Sequence, residues 1–408
     1  MKILFLTDNF PPEVNAPASR TYEHCAEWVK KGAEVTVITC VPNFPMGKVF
    51  PGYRNKLIQK EMVSGIKVIR VWTYMSPNKG LMRRTLDFIS FMVSAFIAGL
   101  TVRTDLIVAT SPQFFTAIAG WLLSICKFKP WVMEVRDLWP DSILEVEAVK
   151  STRMLGVFFR IEVAMYKHAR LIIAVTDSFK KRIIGKGIRE EKIKVVKNGA
   201  NLSLFSPRTP DQDLKRSVCG ENRWLMSYIG THGMAHGLDF ILDCAPNLDA
   251  MGITLLFVGD GAKKGELEAR IRQEKLTNIV MLPPAPKEEV PALLAISDFA
   301  LIPLRKADLF ETVIPSKIFE ASAMKIPVLL GVRGESRRLV EHYQAGIAYE
   351  PENKAELFRA VTSLMNDKEL YERCRNGGEK LAADFNRKQL AGELLDLLEM
   401  AANKRVAP

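Results

Sequence analysis

Cysteine is scarce in this 408-residue chain, and its six residues (Cys25, Cys40, Cys126, Cys219, Cys244, Cys374) form neither a CxxC pair nor a cluster with histidine. That pattern excludes a disulfide-stapled scaffold and a structural zinc site, and it predicts a reducing compartment, the cytoplasm. Histidine is rarer still, at five residues. The amino end lacks an apolar run long enough for a secretory signal: Lys2 to Thr7 reads as one buried strand, interrupted by Asp8 and Pro11-Pro12. Solenoid repeats and low-complexity tracts are absent, as are helix-turn-helix, RNP-like and zinc-finger patterns, so nucleic acid is not an expected partner.

Acidic residues are what the first half lacks. Residues 1–205 carry 30 Lys and Arg against 17 Asp and Glu, a net +13, whereas residues 206–408 carry 27 against 29, a net −2. A basic half-molecule suits an anionic membrane surface. The apolar stretch Leu86 to Val102, flanked by Arg83, Arg84 and Arg103, is near the lower length limit for spanning a bilayer and carries Asp87 in its first turn. A strand-like run, Asp105 to Thr110, follows at once. The stretch is therefore expected to pack on a sheet with one side available to lipid, giving a peripheral protein on the inner face of the plasma membrane.

With 48% hydrophobic residues the chain can bury sizeable cores, and its length favours two domains. Short apolar runs alternate with helical segments: Lys2–Thr7, Glu34–Cys40, Lys67–Trp72, Asp105–Thr110, Trp131–Val135, Leu171–Val175 and Ile193–Lys197. The pattern restarts at Trp224–Ile229, Thr254–Val258, Ile279–Leu282, Phe299–Pro303, Pro327–Gly331 and Gly346–Tyr349, after a proline-containing linker at Asn201–Cys219. Such alternation predicts α/β architecture: two doubly wound Rossmann-like domains facing each other across a cleft, with ligands at the carboxyl ends of the strands.

The segment Pro315-Ser316-Lys317-Ile318-Phe319-Glu320 joins a cation and a helix start to a carboxylate one turn on. Free amides and the positive dipole end suit a diphosphate, and Glu320 suits a pair of ribose hydroxyls. An ordinary amphipathic helix with a proline start and a solvated Glu fits the same residues. Arg136 and Asp137 end a buried strand, so Asp137 could serve as acceptor base and Arg136 could bind an acceptor phosphate; an internal Arg–Asp pair capping the Trp139-Pro140 loop is equally consistent. The triplet Asp211-Gln212-Asp213 lies in the linker beside Pro210, Lys215 and Arg216 and reads as a solvated turn, so no metal is expected.

Phe10-Pro11-Pro12-Glu13, Lys31-Gly32-Ala33-Glu34-Val35-Thr36-Val37, Asn198-Gly199-Ala200-Asn201, Gly230 through Gly237, Phe257-Val258-Gly259-Asp260-Gly261 and the Glu320 helix occur in one order over some 300 residues. In that order they resemble the retaining GT-B glycosyltransferases of family 4. Glu134 to Ser142 and Thr312 to Lys317 resemble the bacterial L-fucosamine transferase-like subgroup of surface-polysaccharide synthesis, whose O-antigen and capsule roles the resemblance carries over as an expectation. It implies an acceptor-binding domain at 1–205, a nucleotide-sugar-binding domain at 206–385, and a carboxyl-terminal helix at 386–408 packing back on the first.

The resemblance also assigns donor contacts, with departures. Paired glycines after the first strand are replaced by Asn15 and Ala16, which are small enough for close approach. Gly230 opens the loop after the first strand of the second domain, where His232 and His236 replace basic residues of relatives, so Lys317 and then Arg305 are expected to compensate. The first carboxylate of the family's EX7E motif is Thr312 here. A hydroxyl in that place suits an N-acetylated or 6-deoxy sugar. The subgroup's donors imply UDP, with Pro283 to Pro286 as the wall of the base site and no cofactor beyond the donor. A polyprenyl-diphosphate-linked glycan is the implied acceptor. A sugar-nucleotide epimerase of the same fold and a non-catalytic scaffold remain alternatives, and Gly259-Asp260-Gly261 only weakly imitates a dinucleotide fingerprint because Lys263-Lys264-Gly265 spoils its spacing.

Overall fold

The computed structural model describes residues 1–44, 47–75, 81–141 and 152–403, and its chain divides into two compact units, Met1–Lys197 with Arg387–Pro408, and Asn198–Asn386. Ser142, at the end of one family-like motif, lies outside the described residues. In the first unit the strands are β1 (Lys2–Leu6), β2 (Glu34–Cys40), β3 (Ile58–Val63), β4 (Ile66–Val71), β5 (Leu106–Thr110), β6 (Trp131–Val135), β7 (Leu171–Ala174) and β8 (Ile193–Val195). They form one sheet in the order β3-β4-β2-β1-β5-β6-β7-β8. All neighbours pair in parallel except β3 and β4. The parallel strands are buried on both faces, which is why they read as near-continuous apolar runs. β3 escaped the sequence reading because its Lys and Glu alternate with half-buried residues at a sheet edge; the Ser64-Gly65 turn, with both residues at positive φ, was the available hairpin signal.

The second unit repeats the plan with β9 (Trp224–Ile229), β10 (Ile253–Val258), β11 (Ile279–Leu282), β12 (Phe299–Pro303), β13 (Val328–Gly331) and β14 (Gly346–Ala348). The order is β11-β10-β9-β12-β13-β14, all parallel. Each sheet thus reverses direction once, between β1 and β5 and between β9 and β12, and opens a crevice at the carboxyl ends of those strands.

The first unit ends at Lys197, eight residues before the expected boundary. Phe205 is 1% exposed and packs with Ile302, Ile318 and Phe319 of the second core, and the Ala200 amide donates to the Phe385 carbonyl at 3.1 Å. The expected linker is also partly helical: Gln212–Cys219 is a helix whose N-cap, Asp211, accepts from the Leu214 amide at 2.9 Å. Asp213 pairs with Arg216 at 3.3 Å. The helix Arg387–Asn403 belongs to the first unit, where the Trp28 indole donates to the Ala391 carbonyl at 2.8 Å and Arg387 pairs with Glu23 at 2.6 Å. Full burial of Trp28 makes this contact worth about 3 kcal/mol or more.

The stretch 86–102 falls on the helix Leu81–Leu100 and the turn after it, which pack against β2, β4 and the helix Phe114–Lys127. Among the described residues no helix is long and apolar enough to cross a membrane.

Just beyond β1 lies a half-buried carboxyl group, Asp8. Burial, with Asp87 and Glu13 adding repulsion, pushes Asp8 up to about 8, against smaller opposing effects of Cys40 and Arg84. The folded state therefore holds a proton that the unfolded chain releases near its ordinary value of 3.8, so stability falls as pH rises between those two values. Asp8→Asn should remove that slope: calorimetric melting is expected to show a gain of roughly 2–4 °C over the wild type at pH 8, shrinking to nothing by pH 4. Equal melting temperatures at pH 8 would rule out the raised carboxyl of Asp8.

Candidate functional site

The strongest constellation in the second unit gathers at the carboxyl ends of β9 and β12. β9 ends at Ile229, and Gly230 follows at φ 144°, where a Cβ would stand 2.4 Å from Lys317 Cε. Glycine is needed there both for the backbone angle and for the close passage of the lysine. Lys317 Nζ donates to the Tyr228 hydroxyl at 3.0 Å and lies 4.1 Å from the centre of its ring. The hydroxyl in turn donates a hydrogen bond to the Thr231 carbonyl at 2.5 Å. Tyr228 thus orients the ammonium through a hydrogen bond and a cation–π contact together. Burial draws Lys317 down to about 8, with Glu320 pulling upward. Lys317 forms no ion pair with a carboxylate among the described residues.

Two imidazoles flank it. His232 is completely buried with neither ring nitrogen partnered, and His236 Nδ1 is likewise unpartnered. Their rings lie 5.9 and 5.8 Å from that of Tyr228. Burial first, and the neighbouring lysines second, pull His232 to about 4 and His236 to about 3, so both are neutral near pH 7. Neutral rings donate one hydrogen bond each without adding charge. Lys264, whose Nζ donates to the Gly259 carbonyl at 2.9 Å, adds a second cation acting on His232.

The remaining donor-site predictions fare unevenly. Ser316 occupies the N-cap of the helix Lys317–Ala323 without a side-chain cap bond. The amides of Ile318, Phe319 and Glu320 already donate to the carbonyls of Pro315 and Ser316, so the helix start offers fewer free N–H groups than the sequence implies. The charge of Lys317 therefore outweighs the helix dipole. Glu320 is half-buried, and its carboxylate accepts no hydrogen bond from a described residue. Arg305 is paired with Asp239 at 3.0 Å and is 46% exposed. Thr312 is buried, with its hydroxyl donating to the Leu309 carbonyl at 2.6 Å, which leaves only its lone pairs for a ligand.

In the first unit, Asn15 caps the helix Ala16–Lys30: its Oδ1 accepts from the Ala18 amide at 2.9 Å while its amide donates to Asn9 Oδ1 at 2.7 Å. Ala16 is the first helical residue. Arg136 Nη1 reaches the Pro17 carbonyl at 3.2 Å, so the end of β6 and this helix start meet. The Ser111 hydroxyl, at the end of β5, accepts from the amides of Arg136 at 2.7 Å and Asp137 at 3.2 Å. Burial lowers Arg136 to about 10 despite Glu134, and its Nε has no partner among the described residues. Glu134, which burial alone would raise, is held below the usual carboxylate range by Arg20 and Arg136; Arg20 Nε is 3.1 Å away.

Sequence reasoning passed over Tyr228, Lys264, Arg20, Glu134 and Asp8 as candidates. Tyr228 looks like one more apolar strand residue, although its place two residues before a glycine at a central strand's end was a usable signal. Arg20 and Glu134 are 114 positions apart, and nothing local announces their pairing.

Comparison with known proteins follows the same division of the chain. The Glycosyl transferase 4-like domain family matches residues 15–199, and the Glycosyl transferases group 1 family matches residues 211–381. WcaI of Escherichia coli strain K12, assigned to colanic acid biosynthesis as a glycosyl transferase, is 26% identical over 328 residues, 78% of this chain and 80% of its own length. An Escherichia coli UDP-Gal:alpha-D-GlcNAc-diphosphoundecaprenol alpha-1,3-galactosyltransferase is 23% identical over 220 residues, 52% of this chain and 56% of that protein. Among solved structures, Anabaena HepE in complex with UDP and glucose superposes with a TM-score of 0.74 at 19% identity, covering 98% of this chain and 99% of that one. Two glycosyltransferase families matched in tandem, one over each compact unit, together with a solved neighbour spanning both chains almost end to end, establish that this chain belongs to the GT-B glycosyltransferases of family 4.

Proposed function

We propose that the protein moves a sugar, with retention of anomeric configuration, from a UDP-sugar to a polyprenyl-diphosphate-linked glycan in bacterial surface-polysaccharide synthesis, working as a peripheral protein on the inner face of the plasma membrane. The observation that carries the reading is the Lys317 cluster: an ammonium with no carboxylate ion pair among the described residues, fixed over Tyr228 and flanked by imidazole nitrogens without partners among the same residues, at the switch point of a parallel sheet. A diphosphate supplies both the missing counter-charge and the missing acceptors. The names of the related galactosyltransferase and of the HepE complex, which mention a diphosphoundecaprenol acceptor and UDP, support the choice of substrates.

In this scheme the second unit holds the donor and Glu320 takes the ribose hydroxyls. Lys317 neutralises charge building on the diphosphate as its bond to the anomeric carbon breaks, with the His232 and His236 rings donating hydrogen bonds. The acceptor oxygen bonds to that carbon from the face the diphosphate leaves, and its proton passes to a departing phosphate oxygen. No protein nucleophile is needed, in contrast to a retaining glycosidase. Protein cations do the neutralising, so activity should survive EDTA. The first unit takes the acceptor, with Arg136 on its diphosphate and Asp137 orienting the attacking hydroxyl. Thr312, offering lone pairs rather than a carboxylate, suits an N-acetylated or 6-deoxy sugar.

Calorimetric titration with nucleoside diphosphates tests the donor site directly. UDP affinity should be flat below pH 7 and decline as Lys317 loses its proton above about 8. Lys317→Ala should weaken UDP binding about 10–100-fold and abolish that pH dependence; unaltered UDP binding in the variant would sink the assignment. Thr312→Ala should leave UDP binding intact while raising the KM for the UDP-sugar about five-fold. Equal losses for both ligands would remove Thr312 from the sugar site. Loss of transfer in EDTA, restored by a divalent ion, would overturn metal independence.

A further inference from the structure

The helix Phe114–Lys127 starts just past the carboxyl end of β5, beside the reversal of the first sheet, and its first turn is uncapped. Its N-cap is Gln113, whose backbone is extended at φ −81° and ψ 109° and whose side chain makes no cap bond. Serine, threonine, asparagine and aspartate hold an oxygen at the right reach for that bond; glutamine is too long. The amides of Phe114 and Phe115 accordingly find no acceptor among the described residues. Only at Thr116 does the ladder begin, with its amide donating to the Gln113 carbonyl at 3.2 Å. The first turn contains no acid, and Phe114 and Phe115 are 3% and 9% exposed. A fourteen-residue helix thus turns its positive end and two unmatched N–H groups into a nearly dry place.

The side chain of Gln113 sharpens this ordinary feature. It is 5% exposed, and its Oε1 accepts from the Thr116 hydroxyl, which folds the carboxamide back over the first turn. The Nε2 of the same carboxamide is buried there with no hydrogen-bond partner among the described residues. A buried amide nitrogen with unmatched hydrogens lowers stability, whereas methionine would fill the same volume without that penalty. At least three neutral donors therefore meet at one helix start, and all of them lack an acceptor. A single enclosed water has two acceptor sites and cannot match three donors; a phosphate oxygen set can.

The neighbouring strand end closes around this turn. The Ser111 hydroxyl, two residues before Gln113, fixes the backbone of Arg136 and Asp137 at the end of β6. Phe114 stacks on Trp139 with ring centres 4.3 Å apart, and Phe158 meets both rings edge-on. Such aromatic cover lowers the local dielectric and strengthens hydrogen bonds from the turn to a charged ligand. Arg136 and Asp137 oppose each other in sign, so the neutral donors supply the preference for an anion.

We propose that the start of the helix Phe114–Lys127, through the Gln113 carboxamide and the amides of Phe114 and Phe115, is a phosphate site that holds the diphosphate of the acceptor. The identity of the molecule carrying that diphosphate rests on the reading of a lipid-linked acceptor. The anion site rests on the unmatched donors alone.

Calorimetric titration of the full chain with inorganic pyrophosphate, in a Lys317→Ala background that removes the donor-site cation, reads this site by itself. Pyrophosphate should still bind, adding Gln113→Met should weaken it about ten-fold, and Gln113→Glu should abolish it. UDP affinity in the single variant Gln113→Met should equal that of the wild type, which keeps failure here distinct from failure of the donor assignment. The melting temperature of Gln113→Met should hold or rise, since the Thr116 hydroxyl can turn to the carbonyl of residue 113. Absence of pyrophosphate binding in the Lys317→Ala protein, or binding that ignores Gln113→Met, overturns the proposal. A melting temperature several degrees lower in Gln113→Met would show the nitrogen already satisfied by enclosed water and overturn it too. Glucuronate binding more tightly than pyrophosphate would assign the turn to a sugar carboxylate in place of the diphosphate.

Discussion

An ammonium lying over the Tyr228 ring, half-buried and with no carboxylate ion pair among the described residues, is the element around which the end of β9 is arranged. Its position demands a bare glycine at 230, since any side chain there would occupy the lysine's path. It demands Tyr228 at a strand end, and it keeps the two nearby imidazoles neutral by adding repulsion to their burial. Such a cluster is costly, because the cation's desolvation is only partly offset by the Tyr228 hydroxyl and ring, and buried ring nitrogens without partners among the described residues lose hydration. In the function proposed above, a dianionic ligand would meet the ammonium and the ring N–H groups together, so that binding and leaving-group stabilisation would be one interaction.

The first unit handles charge in the opposite manner. Its buried guanidinium groups are largely matched: Arg20 lies against Glu134 and the carbonyls of Val196 and Lys197, and Arg387 against Glu23. Through these ties Arg20 binds the helix Ala16–Lys30 to the ends of β6 and β8, and Arg387 secures the returning carboxyl-terminal helix. Compensation on this scale serves to fix geometry rather than add stability. Arg136, bonded to Pro17, has an Nε without a hydrogen-bond partner among the described residues. Asp8, neutral at ordinary pH because burial outweighs its cationic neighbour, places a proton-bearing carboxyl at the end of β1 in the same unit.

Much of the architecture was visible in one dimension. Strands buried on both faces become near-continuous apolar runs, and thirteen of the fourteen strands described fall on segments that the sequence marks out. The fourteenth, β3, lies at an edge and needs no apolar face, so its Lys and Glu hid it. The unit boundary was misjudged for a related reason: Pro207 and Pro210 mark a loop, but Phe205 just before them had already entered the second core. Among the expected site residues, Lys317 was legible as a cation at a helix start, whereas Gly230, His232 and His236 came from the family resemblance, and the fold gathers the four around Tyr228. Arg305 and Thr312 are engaged by Asp239 and the Leu309 carbonyl, and a sequence does not display such partners.

The amino-acid sequence by itself determined the class of fold, the restart of the pattern after residue 200 and the order of motifs that marks the family, because all three depend on local periodicity and turn chemistry. Only tertiary structure decided which polar groups are spent and which are spare. Tyr228 beneath Lys317, the burial of His232 and the raised carboxyl of Asp8 each arise from neighbours distant in the chain. Burial sets their electrostatics, and burial is a property of packing in three dimensions rather than of any window of residues.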